Sequence, residues 1–274
     1  LAERDIVTVI ALAQKEGMVD VEGRGTSYRG SVERQRGNQA DARRYFDAAL
    51  VLHRAAGDRR MEGRTLSNIG LLLDEQGQEQ EALATYQRAL EIHREVGDRR
   101  YEGITMLNLG VQQQNQSLFT QAKASYQGAL AIQRELGGRI SEGIAHANLG
   151  DLNRDLQQGP QALAHYKSGL EIMREVGSRY LEGVIVAAMA SLYQEQAQLE
   201  EAHARYTEAL RVLREVGNRR YCGVVLAGLA AVDACLLRLV EADTQLAEAT
   251  RILNEVGDQN LLEALDIYRA HVEL

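Results

Sequence analysis

The chain has 274 residues, with 39 Asp and Glu against 31 Lys and Arg, giving a formal net charge of −8. That balance argues against nucleic acid as the main partner, because phosphate recognition needs a basic face. Two cysteines and no signal-peptide pattern give no disulfide framework, and a reducing, cytoplasmic setting is expected.

Shifting the sequence by forty residues superposes it on itself. Gly17, Gly57, Gly97, Gly137, Gly177, Gly217 and Gly257 form one ladder, and Glu22-Gly23 to Glu182-Gly183 form a second. Gly30, Gly70, Gly110 and Gly150 form a third, continued by Ala190 and Ala230. Ala42, Ala82, Ala122, Ala162 and Ala202 form a fourth, and Tyr86, Tyr126, Tyr166 and Tyr206 a fifth, with Phe46 in the same slot. Several ladders in one register are the mark of a repeat array.

In chain order, residues 1–17 match the second helix of a repeat (helix B) without its first (helix A). Six repeats follow, near 18–57, 58–97, 98–137, 138–177, 178–217 and 218–257, and residues 258–274 match a lone helix A. The chain starts at Leu1 and stops within a unit, so it is expected to be an excerpt of a longer protein, with the terminal helices as caps of one solenoid domain. The first repeat departs from the others. Gly23, Gly25 and Gly30 each weaken a helix by about 1 kcal/mol, and Thr26, Tyr28, Arg29 and Ser31 replace Leu66, Asn68, Ile69 and Leu71 of the next copy. It is expected to be the least stable repeat.

The third repeat shows the unit. Asp98 is placed to cap helix A with its carboxylate, Glu102 sits in the first turn within reach of Arg99, and Ile104, Leu107, Leu109, Gly110 and Val111 form an apolar side. The polar run 112–117 closes helix A, in a turn that contains Gly77 or Gly159 in neighbouring copies. Helix B covers about 119–135, with Phe119, Ala122, Tyr126, Ala129, Leu130 and Leu136 on its apolar side and Gly137 as a left-handed closure. Pro160 falls at a helix start, where its missing N–H is harmless. Further on, VVLAGLAAVDACLLRLV at 224–240 is the most apolar stretch. It is short for a membrane span, carries Asp233 and Arg238, and reads as a buried helix. Cys222 and Cys235, if on one helix, are too far apart to bridge.

A small residue in helix A, an alanine twelve later and an aromatic four after that (Leu149-Gly150, Ala162, Tyr166) resemble the tetratricopeptide repeat. The usual unit has 34 residues and a closing proline; here it has 40, with Arg94, Arg134, Arg174 or Arg214 in that place. The long form resembles the Pins/LGN polarity adaptors and the arrays attached to bacterial ATPases, kinases and transcription regulators. The resemblance implies an all-α, right-handed superhelical solenoid of antiparallel helix pairs, with A helices on the concave side, that binds proteins.

No phosphate loop, HExxH, CxxC or GxSxG pattern occurs, and the histidines lack metal-ligand spacing, so no catalysis, metal or cofactor is expected. Stepping by three or four from the asparagine before Leu-Gly gives the face of each A helix open to a partner. The second repeat contributes Arg60, Arg64 and Asn68, and the third Arg100, Ile104, Asn108, Val111 and Asn115. The fourth contributes Ile144, Asn148 and Asp151, the fifth Val184 and Ala188, and the sixth Val224 and Gly228. Asparagine is a poor helix-interior residue, yet it recurs at 68, 108 and 148, and an amide can hold both N–H and C=O of an extended peptide. The expected partner is a protein segment, polar or acidic near repeats two and three and apolar near five and six. The alternative is a regulatory or self-associating arm that works through the apolar C-terminal repeats.

Overall fold

The computed structural model of the protein describes residues 3–257 together with Leu262 and Leu265. The described residues are all-α, without a strand. The helices are α1 (Glu3–Lys15), α2 (Val19–Gln35), α3 (Gln39–Ala55), α4 (Arg59–Glu75), α5 (Glu79–Glu95), α6 (Arg99–Asn115), α7 (Phe119–Glu135), α8 (Arg139–Asp155), α9 (Gly159–Glu175), α10 (Arg179–Glu195), α11 (Leu199–Glu215), α12 (Arg219–Cys235) and α13 (Leu239–Val256). Even-numbered helices are A and odd-numbered ones B. The segment 258–274 lies outside the described residues apart from Leu262 and Leu265.

One turn closes every helix. Gly97 adopts φ 65°, and the amide of Asp98 reaches back to the His93 carbonyl at 2.8 Å, which satisfies carbonyls left open at the end of α5. Every B-to-A turn has glycine at this left-handed position. The A-to-B turns have it only at Gly37 and Gly77; Ser117, Gln157, Ala197 and Leu237 take the later positions. Gly159 is therefore not the turn residue expected of it: it opens α9, with Pro160 beside it.

Three other expectations are corrected. Asp98 sits at the cap of α6, but its carboxylate makes no capping bond and accepts instead from Arg64 at 2.8 Å. Leu136 is exposed just beyond α7, and Ile132 and Gln133 are buried in its stead. The stretch 224–240 is not one buried helix: α12 ends at Cys235, Leu237 is exposed on the turn after it, and Leu239 and Val240 are exposed at the start of α13.

The chain forms two compact units, Leu1–Gly137 and Gly138–Leu274. In the first, α2, α4 and α6 pair with α3, α5 and α7 respectively, and α1, α3 and α5 also pack on α2, α4 and α6. Successive A helices touch and successive B helices do not, so the A side is the inner side of the curve. The second unit repeats this with α8, α10 and α12 inside and α9, α11 and α13 outside.

Glycine allows the close approach within each pair. A Cβ on Gly70, Gly110 or Gly150 would stand 2.5 Å from the ring of Tyr86, Tyr126 or Tyr166. Near the start of each A helix a second glycine makes room for one B-helix side chain. Over Gly23 and Gly63 these are His53 and His93, and over Gly103 it is Gln133; over Gly183 and Gly223 they are Leu213 and Leu253. The first unit thus builds this layer from polar groups and the second from apolar ones. Around it, Ser67 bonds Thr105 at 2.9 Å and the His93 Nε2 at 3.3 Å, and Ser27 bonds Thr65 at 3.1 Å.

The recurrent Glu-Gly pair also has an electrostatic reason. Buried Glu102 accepts from Arg94 of the preceding B helix at 3.0 Å and from Arg99 at 2.5 Å, and Arg99 continues to Glu135 at 3.1 Å. Arg54, Glu62, Arg59 and Glu95 form the same chain, as do Arg174, Glu182, Arg179 and Glu215. The arginine in place of the repeat's closing proline is thus an ion-pair donor. In the last repeat Cys222 replaces the glutamate, and Arg214 turns to Glu248 at 2.8 Å.

Candidate functional site

On α6, Glu102, Gly103, Thr105, Leu107, Leu109, Gly110, Gln112 and Gln113 face inward and are buried. Arg100, Ile104, Asn108, Val111 and Asn115 lie on the remaining face, half-buried or exposed. The same steps leave Arg60, Arg64 and Asn68 open on α4, Ile144, Asn148 and Asp151 on α8, Val184 on α10 and Val224 on α12. A partner therefore finds these side chains accessible along the inner helices of each unit.

Their availability differs. In the first unit the guanidinium of Arg64 is held by Asp98 and lies 4.0 Å from the centre of the Tyr101 ring, while Arg60 stands 3.7 Å from the same carboxylate. Arg100, Asn68, Asn108 and Asn115 have no side-chain partner among the described residues. In the second unit Asn148 is equally unpaired, whereas Asp151 accepts from the Tyr166 hydroxyl at 2.6 Å and has Arg154 at 3.7 Å. Burial pushes the Asp151 carboxyl above its usual pKa, and the Tyr166 hydrogen bond pulls against that shift. The contrast with Asn153 is informative: its amide donates to the Leu149 carbonyl of its own helix, a bond that the three ladder asparagines do not make.

The inner face of the second unit opens into a cavity of about 380 Å³ between α10 and α12. Val184, Ala188 and Ser191 of α10 and Tyr221, Val224 and Gly228 of α12 line it, together with Tyr206, Leu253 and Leu265. Val184 and Val224 were expected on the face, and the fold brings them to one pocket. The two tyrosines and Leu265 were not expected there. The signal for Tyr206 lay in two ladder breaks, Gly150 to Ala190 and Asn148 to Gly228. Leu262 and Leu265 pack on the same apolar cluster as α12.

In the first repeat Tyr28 occupies the asparagine slot and is exposed, and Arg29 lies 4.6 Å over the ring of Tyr45. Gly23 and Gly30, read from sequence as weak points, face His53 and Phe46 closely, and α2 is continuous across them. Among the described residues no group of three His, Cys, Asp or Glu could hold a metal ion. No described helix is long and apolar enough to cross a membrane.

The tetratricopeptide-repeat family model matches residues 24–95 and 101–175, more than half of the chain. The chain belongs to the tetratricopeptide-repeat family. Among curated proteins no match was found. Solved tetratricopeptide-repeat structures share the fold at low identity. BtubC from P. vanneervenii is 19% identical, with a TM-score of 0.67 over 78% of this chain and 89% of that one. A STAND signal-transduction ATPase with a tetratricopeptide repeat sensor, from Pyrococcus horikoshii, is 19% identical with a TM-score of 0.66, over 90% of this chain and 39% of that one. A Rap protein complexed with Competence and Sporulation Factor is 15% identical with a TM-score of 0.70, over 92% of this chain and 74% of that one. These structures share the helical solenoid as the architecture, and membership of the tetratricopeptide-repeat family gives protein interaction as the general role.

Proposed function

We propose that the inner faces bind an extended segment of a partner protein, and that Asn68, Asn108 and Asn148 hold its backbone. The observation that carries this reading is that all three amides are half-buried, repeat at one slot and lack a side-chain partner among the described residues. Each can donate to a peptide carbonyl and accept from a peptide N–H. In the first unit, Arg100 and the Arg60–Arg64 pair beside Asp98 favour an acidic or polar segment, with Ile104 and Asn115 completing the contact. In the second unit, Ile144, Val184 and Val224 favour an apolar one. No catalytic role is proposed, and the setting proposed is cytoplasmic. The test is affinity capture from the source lysate with the wild-type chain and an Asn68/Asn108/Asn148→Ala variant of unchanged helical spectrum. A band lost only with the variant supports the clamp; equal capture sinks it.

A second reading has its own support. The STAND neighbour carries a tetratricopeptide repeat sensor as part of a larger ATPase, and this chain spans 39% of its length. Here the array would be a regulatory arm, and the apolar face of α12 would meet another part of the parent protein or a second copy. Sedimentation over a range of concentrations tests the second copy: a constant mass excludes it.

A further inference from the structure

We infer that the cavity between α10 and α12 is the receptor for one aromatic side chain of the partner segment, tryptophan above all. This rests on the peptide-binding reading and adds an anchor to it.

The size and lining carry the first step. About 380 Å³ suits a bulky group. The lining is mostly alanine, valine, leucine and glycine, with Ser191 and two tyrosines, and no Asp, Glu, Lys or Arg among the described residues, so a charged group would lose its hydration without compensation. Ala188 and Gly228, which stand in the asparagine slot, both line the hollow and put no long side chain into it.

Aromatic lining carries the second step. Tyr206 and Tyr221 both reach the cavity, and Tyr221 is already met edge-on by Tyr180 at 5.6 Å. A further ring gains edge-to-face contact with them beyond its buried area.

The hydroxyls carry the third step. Ser191 Oγ lies 3.2 Å from the Ala187 carbonyl of its own helix and 2.9 Å from the Tyr206 hydroxyl, which is also 3.0 Å from the Gln194 side-chain oxygen. With Ser191 donating to the carbonyl and Tyr206 donating to Ser191, one Oγ lone pair is left to accept from a ligand. An indole N–H is a donor only, so it complements this wall where phenylalanine and leucine leave it unpaired. The occupant is a peptide residue because Val184, Ala188, Ser191, Val224 and Gly228 belong to the face along which the segment is proposed to run.

The chain has no tryptophan, so a tryptophan probe reports its own environment. Ac-Gly-Trp-Gly-NH2 titrated with the full chain should show a saturable blue shift of its emission. Ala188→Leu, which fills the hollow, should weaken binding about tenfold, a loss of ~1.4 kcal/mol. Val224→Phe fills it from the opposite wall and should act alike, which guards against a folding defect in either variant. Ser191→Ala should weaken the tryptophan peptide several-fold and leave a phenylalanine peptide, read by competition, unchanged. An unshifted emission, or binding indifferent to both filling variants, overturns the site. A leucine peptide competing as well overturns the aromatic assignment, and free indole binding as tightly as the peptide makes it a small-molecule site. The tripeptide is too short to need the asparagine ladder, so Asn68/Asn108/Asn148→Ala should leave its binding intact. The clamp and the anchor thereby fail separately.

Discussion

The ring of Tyr206 occupies the space that a Cβ on Gly228 would need, 2.6 Å from its Cζ. The tyrosines before it lie over Gly70, Gly110 and Gly150 of their own repeats. In the fifth repeat that place is Ala190, whose methyl leaves no room for the same pose. The ring is accommodated instead against the next A helix, where a side chain has been deleted. Ala190 and Gly228 are thus a compensating pair set 38 positions apart.

This pairing is measurable by a double-mutant cycle. Gly228→Ala alone should destabilise by about 1–3 kcal/mol, the usual range for overpacking. Adding Ala190→Gly should restore much of the loss, with a coupling of about 1 kcal/mol or more in urea unfolding. Additive effects would show that Tyr206 does not link the two sites.

The left-handed turns offer a second test. Leu237 has φ 60° and is 83% exposed, so its side chain contributes strain and little packing. Leu237→Gly should raise stability by up to ~1 kcal/mol, less whatever flexibility the glycine adds to the unfolded chain. Gly177→Ala, at the same conformation in a B-to-A turn, should lower it by a similar amount. Thermal midpoints moving in the opposite senses would show that the turn conformation is not the governing term.

Acid should act on the first unit through His53 and His93. Both are fully buried, and burial lowers both pKa values below 6.5. A folded-state pKa below the unfolded one means that the unfolded chain binds more protons, so stability falls as pH drops through about 6.5. His53→Leu and His93→Leu borrow the residue found at Leu213 and Leu253. The double variant should lose less stability than wild type between pH 7.5 and pH 5.5, as read from urea midpoints at each pH. An equal loss would place the acid sensitivity elsewhere.

The arginine–glutamate chains predict a dependence on the buried partner. At Glu62 burial raises the pKa, but hydrogen bonds from Arg54 and Arg59 outweigh it and the net shift is downward. That contribution is therefore present above the normal carboxylate range and is lost as pH falls below it. Glu102→Ala should destabilise by about 1.5–3 kcal/mol, in line with lost charge-assisted bonds. Arg94→Ala, whose side chain is half-exposed, should stay below ~1 kcal/mol. A larger effect from the arginine than from the glutamate would overturn this order.

The period, the helix pairs and the glycines of the B-to-A turns were legible in the sequence, because each repeat solves the same local problem. Helix ends need a left-handed residue, helix crossings need a missing side chain, and both leave a letter every forty positions. The open face of each A helix was legible for a similar reason: it is the part of a 3.6-residue period that the B helices leave uncovered. What the letters of one repeat could not disclose is where side chains go when their partner is in another repeat. Asp98 was placed as a cap and serves Arg64, which lies 34 residues earlier. The arginine in the proline slot looked like a plain substitution and proved to hold a buried glutamate eight residues on. The cavity at Ala188 and Gly228 depends on which way Tyr206 turns, and that follows from the methyl of Ala190. Sequence by itself determined the unit, its stacking logic and the exposed row. Only the tertiary structure decided which of those exposed groups were already engaged, because engagement is a matter of distance between repeats and not of position within one.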